Sequence, residues 1–424
     1  MSPFSIVSVP IREGETNVNR GWRLFACLAI AAGAGGYALA QQPQRLTLQE
    51  ALDLAEKQNL DLQAARAQRA VAAAGVRVAG ERPNPSASVA ALRDSPHESL
   101  FFDQPLEIGS RRGKRIALAR QEGALTDAGI AAAERQVRRN VREAYFGLAF
   151  ARRVSAEKLD IARRAERLRD IARARFEAGD IAQLEVTQAE LGLSRANADA
   201  QVARQEEQIA ASRLNALLNV PAASSWELAS ELDTIPLTLR IEELIDKANG
   251  SNPEIARLTQ EAKLEEGRTA LLRAERVPNL GLEFGVDFNA PRDFRVGPRG
   301  VLTMELPIFK RNQGEIAQSL ASFQALQQEM AAMRRAVASQ VEAAFYELNA
   351  REAEVLLYRQ TLVPASRQLE QMSEESYQAG KANILTVIAA QGNVQQVESE
   401  YLVSLLAMQS SFGQLEENVG VPLD

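Results

Sequence analysis

The sequence predicts a mainly helical protein, interrupted by two β-hairpins and built as two copies of one unit. Three observations point there: long proline-poor stretches of helix-forming residues, two segments that switch to two-residue alternation, and one ordered series of short motifs that occurs twice.

Ala, Leu, Glu, Gln and Arg, which lose least on entering a helix, dominate the 424 residues. The formal net charge is −6, and no strongly basic region stands out to attract phosphates, which excludes nucleic acid as a partner. Arg20 and Arg23 precede an apolar stretch from Leu24 to Tyr37, and Ala38-Leu39-Ala40 has the small-x-small form of a cleavage site. Residues 1–40 therefore read as an export signal cut after Ala40. The only cysteine, Cys27, lies inside it. Leu24-Phe25-Ala26-Cys27 loosely matches a lipidation box, but too few apolar residues precede it. After cleavage no thiol remains for a disulfide or a thiolate metal site. No later apolar run is long enough to span a bilayer as a helix, so any crossing must be made by strands.

The duplication covers the rest of the chain. Leu48-Gln49-Glu50-Ala51-Leu52-Asp53 is echoed by Ile241-Glu242-Glu243-Leu244-Ile245-Asp246, and Asn59-Leu60-Asp61-Leu62 by Asn252-Pro253-Glu254-Ile255. Glu81-Arg82-Pro83-Asn84 meets Glu275-Arg276-Val277-Pro278-Asn279, and Pro105-Leu106 meets Pro307-Ile308. Val141-Arg142-Glu143-Ala144-Tyr145 aligns with Val341-Glu342-Ala343-Ala344-Phe345. Phe176-Glu177-Ala178-Gly179 aligns with Tyr377-Gln378-Ala379-Gly380, and Val220-Pro221 with Val421-Pro422. The matches keep their order at a spacing of about 193 to 202 positions, as a true internal repeat requires. The first unit is placed at 41–223 and the second at 240–424, with 224–239 as linker.

Within each unit two short amphipathic helices come first, Leu48 to Lys57 and Ile241 to Ala248 being the opening pair. A Pro-Asn corner stops the second, because proline lacks an N–H and disfavours helix at the residue before it. A hairpin follows, within about 84–108 and 279–308. Leu280, Leu282, Phe284, Val286 and Phe288 alternate with Gly281, Glu283, Gly285 and Asp287, the pattern of a strand with one apolar and one wet face. A turn is read over 289–300, and Leu302, Met304 and Leu306 resume the alternation. The first hairpin reads as Ser86 to Asp94 and Ser99 to Ile108. Very long helices come next, Arg112 to Phe176 and Gln313 to Tyr377, with a kink expected at Pro364. Ile316, Leu320, Phe323, Met330, Met333, Val337, Val341, Phe345 and Leu348 form the apolar seam of the second. About 65 residues at 1.5 Å each make a rod on the order of 100 Å long. Gly179 and Gly380 reverse the chain, and a further long helix returns to Leu218 or Asn418.

Four strands cannot seal themselves in lipid, since membrane barrels need about eight or more. Three chains supply about twelve, with about twelve helices continuing them as a hollow cylinder. The fold class expected is mainly α with a small membrane β-barrel part, assembled as a trimeric channel. A periplasmic coiled-coil adaptor is the alternative that the long helices alone would allow.

The residues Leu46-Thr47-Leu48-Gln49-Glu50-Ala51-Leu52, the Pro-Asn corners, Tyr377-x-x-Gly380 and Leu385, with their counterparts in the first unit, resemble the outer membrane efflux protein (TolC) family over residues 41–424. Gln104-Pro105-Leu106-Glu107-Ile108-Gly109-Ser110-Arg111-Arg112-Gly113-Lys114-Arg115-Ile116 is similar to its heavy-metal, CzcC-like branch. The resemblance implies a homotrimer in outer-membrane lipid that meets a periplasmic membrane-fusion adaptor and a proton-driven inner-membrane pump. The exported cargo would be divalent heavy-metal cations, with drug efflux or type I protein secretion as alternatives. It further implies that the helical tip contacts the adaptor, through Phe176, Ala178, Gly179, Tyr377, Ala379, Gly380 and Leu385. Acidic rings line the closed tip in the family, but the matching positions here are Thr386 and Ala389. Asp180, Glu185, Glu374 and Glu375 are the nearby acids that could serve instead. His97, without cysteine partners, is a poor metal site. Gly33-Ala34-Gly35-Gly36 falls in the export signal and is no phosphate loop. No nucleophile elbow, HExxH or acid pair suggests catalysis, and no cofactor is expected.

Overall fold

The computed structural model describes residues 44–93, 96–230, 232, 240–288 and 296–423. The expected export signal with Cys27, the expected strand end at Asp94, most of 231–239 and residues 289–295 of the expected turn lie outside the described residues.

The chain opens with β1 (Gln44–Leu46), α1 (Leu48–Gln58) and α2 (Leu60–Ala79). The hairpin strands β2 (Ser86–Ala91) and β3 (Glu98–Leu106) follow, then the long α3 (Arg111–Glu177) and α4 (Gln183–Leu217). β4 (Trp226–Leu228) leads to α5 (Ile241–Ser251), α6 (Pro253–Ala274), β5 (Asn279–Phe288) and β6 (Val296–Glu305). The chain closes with α7 (Gln313–Leu357), a π-turn (Tyr358–Leu362), α8 (Val363–Gln378) and α9 (Ile384–Val419). The sequence of elements is thus nearly the same in the two halves.

Local chemistry explains the helix boundaries. Thr47 and Glu50 form a reciprocal capping box at the start of α1. The aligned asparagines of the repeat prove to be a shared joint. Asn59 accepts from the Leu62 amide, capping α2, while its Nδ2 donates to Leu217 O at the end of α4 (2.9 Å). Asn252 accepts from the Glu254 and Ile255 amides, capping α6, and donates to Asn418 O near the end of α9 (2.9 Å). Both side chains are buried, so each amide satisfies the orphan groups of two helix ends at once.

The arginines after β3 have a similar task. Arg112 donates to Gly80 O (2.7 Å), and Arg115 to Ala79 O (2.8 Å) and Glu81 O (2.9 Å) at the end of α2. Arg111 donates to Glu275 O (2.8 Å) and Val277 O just past α6. Positive charge at a helix C-terminus also complements its dipole. The Arg111–Arg115 motif therefore clamps the short helices to the base of the hairpins, with Arg115 further held by Glu107 (2.6 Å).

The four hairpin strands form one antiparallel sheet in the order β2-β3-β5-β6. Opposed residues share a face, so the register sorts the side chains. One face carries Val89, Leu100, Phe102, Leu280, Leu282, Phe284, Val286, Leu302 and Met304, with Phe102 and Phe284 stacked at 5.6 Å. The other carries Ser99, Phe101, Asp103, Glu283, Asp287, Arg299, Thr303 and Glu305. Ser99 donates to Asp287 (2.7 Å), and the Arg299 guanidinium lies 4.9 Å from the centre of the Phe101 ring. Gly285 is needed beside that ring: a β-carbon there would sit 2.2 Å from Leu100 O.

Three expectations need correction. β6 begins at Val296, so Gly297, Pro298 and Gly300 belong to a strand rather than a turn. Among the described residues β6 pairs with β5 alone, and such an edge strand tolerates proline. The first hairpin is also shorter than read, with its turn starting after Ala91 and β3 ending at Leu106. In the α7 seam, Leu320 is 41% exposed and Ser319 turns inward, donating to Glu265 and accepting from Thr269. The expected kink at Pro364 takes the form of the π-turn. Val363 bonds back to Tyr358 O, five residues earlier, just before the proline that lacks a donor.

Replacing Asn59 or Asn252 by Ala orphans groups at two helix ends. Each substitution should cost about 1–3 kcal/mol, read as a lower midpoint in denaturant unfolding of the detergent-extracted protein.

Candidate functional site

The long helical hairpins reverse at two matching turns. Gly179 (φ +82°) lets Asp180 N bond to Arg175 O (2.9 Å) and Gly179 N to Phe176 O (2.9 Å). Gly380 (φ +71°) does the same, with Lys381 N to Ser376 O (2.9 Å) and Gly380 N to Tyr377 O (3.0 Å). Both are Schellman caps, which need a residue in the left-handed region that glycine adopts without strain. Asn383 then caps α9 by accepting from the Thr386 amide.

A small core joins the two hairpins at this end, made of Leu168 and Ala172 on α3, Ala189 on α4, Tyr377 on α8, and Ile384 and Val387 on α9. Tyr377 is its centre and is fully buried. The Arg175 guanidinium lies 4.8 Å from its ring centre and donates to its carbonyl (3.0 Å), while its hydroxyl reaches the Glu185 carboxylate at 3.5 Å. Burial, then the Glu185 charge, pushes the Tyr377 hydroxyl above its usual pKa. Its ring positions the turn from beneath and presents no surface.

The outward-facing apolar residues are Phe176 (40% exposed) and Leu385 (55% exposed). Leu184 (65% exposed) stands five residues after Gly179, as Leu385 stands five after Gly380, and was missed. Its signal was that offset. Arg175 was missed too, because its partner lies on the other hairpin. Of the acids singled out, only Glu185 is drawn to the buried tyrosine. Asp180 and Glu375 are exposed, and Glu375 accepts only from Gln371 (2.9 Å) and Glu374 from Gln378 (3.4 Å), each on its own helix. Thr386 and Ala389 are exposed.

A second polar centre, which the sequence did not reveal, sits beside the π-turn. Arg164 on α3 approaches Glu157 (3.2 Å), Asp160 (3.4 Å), Glu370 on α8 (3.2 Å) and Glu398 on α9 (3.9 Å). Arg367 binds Glu398 from the other side (2.5 Å). Glu370 and Glu398 are buried. Burial, reinforced by the hydrogen bond and charge of Glu398, pushes the Glu157 carboxyl up to about 8. Burial also acts against ionised Glu398, but hydrogen bonds from Glu157 and Arg367 outweigh it and hold its pKa low. The two carboxyls therefore titrate together as a pair. Among the described residues no group of three or more His, Cys, Asp and Glu is arranged to hold a metal, and no helix is long and apolar enough to cross a membrane.

Residues 51–220 and 244–421 each match the family model described as outer membrane efflux protein. The chain is 28% identical over 370 residues to the cobalt-zinc-cadmium resistance protein CzcC of Cupriavidus metallidurans, spanning 84% of this chain and 86% of that protein. It is 29% identical over 256 residues to the nickel-cobalt-cadmium resistance protein NccC of Alcaligenes xylosoxydans xylosoxydans, spanning 57% and 55% respectively. The fold matches that of the outer membrane protein VceC from Vibrio cholerae with a TM-score of 0.71 at 17% identity, over 89% of this chain and 97% of that one.

A carboxyl whose pKa is raised by folding contributes stability that is complete below its unfolded value and is lost as pH rises through the folded one. The unfolding midpoint should therefore fall between about pH 4.5 and about pH 8, and Glu157→Gln should flatten that fall in a thermal melt recorded across the range.

Proposed function

The chain belongs to the outer membrane efflux protein family, and from that premise we propose that three copies form an outer-membrane duct that exports divalent heavy-metal cations. The chain is a passive channel subunit and not an enzyme. The observation that carries the cargo reading is the division of the sheet into two faces. Leu282, Phe284, Leu302 and Met304 are exposed in the single chain, and apolar strand residues of this kind belong against hydrocarbon. The opposite face then lines the pore, and its ionisable groups among the described strand residues are Asp103, Glu283, Asp287 and Glu305 against Arg299.

Asp103 and Glu283 are directly opposed on adjacent strands, an arrangement that is unfavourable unless water or cations screen it. Three-fold repetition turns the pair into a ring of six carboxylates, which favours cations and repels anions. The resistance proteins that the chain resembles are named for cobalt, zinc, cadmium and nickel, which agrees with that sign of charge.

At the far end of the helices a periplasmic adaptor would meet the two turns, through Phe176, Ala178, Gly179, Ala379, Gly380 and Leu385, joined by Leu184. Tyr377 would hold that surface in place from beneath. An inner-membrane pump would supply the driving force. Asp180, Glu185, Glu374 and Glu375 are the acids available to tune the constriction there, in place of the residues at Thr386 and Ala389.

Deleting the gene should sensitise the host to cobalt, zinc and cadmium in growth assays; sensitivity confined to organic drugs would defeat the metal reading. In planar bilayers the channel should prefer cations. Asp103→Asn with Glu283→Gln should shift the reversal potential in a salt gradient toward zero, and an unchanged potential would remove the ring from the account.

A further inference from the structure

The middle of α3 carries a feature that neither export nor packing explains. Arg135, Arg138, Arg139 and Arg142 step by threes and fours along one face of the helix. They line a cavity of about 280 Å³ against the last turns of α9, closed on its apolar side by Leu52, Val421 and Pro422.

The acids around this cavity are already engaged. Glu416 pairs with Arg142 (3.0 Å), Glu417 with Arg139, and Glu134 with Arg66 (2.8 Å). Arg135 donates through Nε to Gly420 O (3.1 Å), but its Nη1 is buried with no hydrogen-bond partner among the described residues. Arg138 has no ion pair or hydrogen bond among them. Burial lowers the Arg135 guanidinium from its usual range, although arginine retains its charge at any ordinary pH. A buried guanidinium N–H left unpaired is costly, so such a group marks a place where an acceptor belongs.

The internal repeat offers a control for packing. Aligning Val141 with Val341 puts Arg335, Ala338, Ser339 and Glu342 at the positions of the four arginines. A long helix can therefore occupy the matching place in the other unit with a single cation. Location narrows the occupant further. Arg135 and Arg138 lie about 24 to 27 residues beyond the start of α3 at the sheet, which is about 36–40 Å along the helix. A lipid headgroup cannot reach that far, so the occupant must be soluble.

We propose that this cavity binds a small multivalent oxyanion of the phosphate class, clamped by Arg135 and Arg138 between the first unit and the end of the second. The guanidinium fork suits paired oxygens, and the cavity accommodates phosphate with a few waters. The site is independent of the cargo that passes through the pore.

The test titrates inorganic phosphate into the full-length protein in detergent, with sodium chloride adjusted to constant ionic strength, and follows heat release and the unfolding midpoint. Phosphate should bind saturably and raise the midpoint. Arg138→Gln, which removes a side chain bonded to nothing, should weaken binding about tenfold or more. Val421→Trp, which fills the cavity and leaves every charge in place, should abolish it. Arg69→Gln, an exposed arginine paired with Asp127 elsewhere, should leave it unchanged. A phosphate effect no larger than that of matched chloride, or one equal in the Arg138→Gln and unaltered proteins, overturns the proposal.

Discussion

The backbone edges of a four-stranded sheet govern the rest of this molecule. Among the described residues of one chain, β2 and β6 each have a strand neighbour on one side only, so a row of amides and carbonyls along each outer edge has no strand to pair with there. In water that row could be hydrated, but in hydrocarbon each unpaired group costs several kcal/mol. The apolar face of the same sheet, with Leu282, Phe284 and Leu302 exposed, calls for hydrocarbon. These two demands are met together when β6 of one copy pairs with β2 of the next until the ring closes. A closed ring of about twelve strands is too wide to fill with its own side chains, so a pore follows from the hydrogen bonding.

The helices extend this logic into water. Each hairpin leads into a long helix whose length sets how far the duct reaches. The arginines of the first junction secure helix ends from both units, and the buried asparagines tie the short helices to the returning long ones. By contrast, the far half of the second unit contains a π-turn, a proline and a partly buried cluster of acids and arginines.

Much of this was legible in the sequence, since it depends on local rules. The Pro-Asn corners, the glycine reversals, the alternation of β5 and the long seam each follow from backbone geometry or period. The repeat even exposed Asn59 and Asn252 as equivalent before their shared joint was visible. What escaped notice depends on partners distant in the chain. Arg111 bonds to carbonyls more than 160 residues away, and Arg164 gathers acids from α8 and α9, so both resemble ordinary solvated charges in the sequence. Ser319 displaces Leu320 from the seam because Thr269 and Glu265 face it from α6. The start of β6 was hidden by Gly297, Pro298 and Gly300, which signal a turn unless the strand lies at an edge. Phe176 and Tyr377 align in the repeat, yet one is exposed and the other buried, because only Tyr377 meets the other hairpin within the chain.

The most direct test is the mass of the protein itself, measured by light scattering on material extracted from outer membranes, with the contribution of detergent subtracted. Closure of the sheet by neighbouring copies predicts a single species of three chains that persists on dilution. A monodisperse single chain, stable in buffer without detergent, would mean that the strand edges need no partner, and the account would be wrong at its foundation.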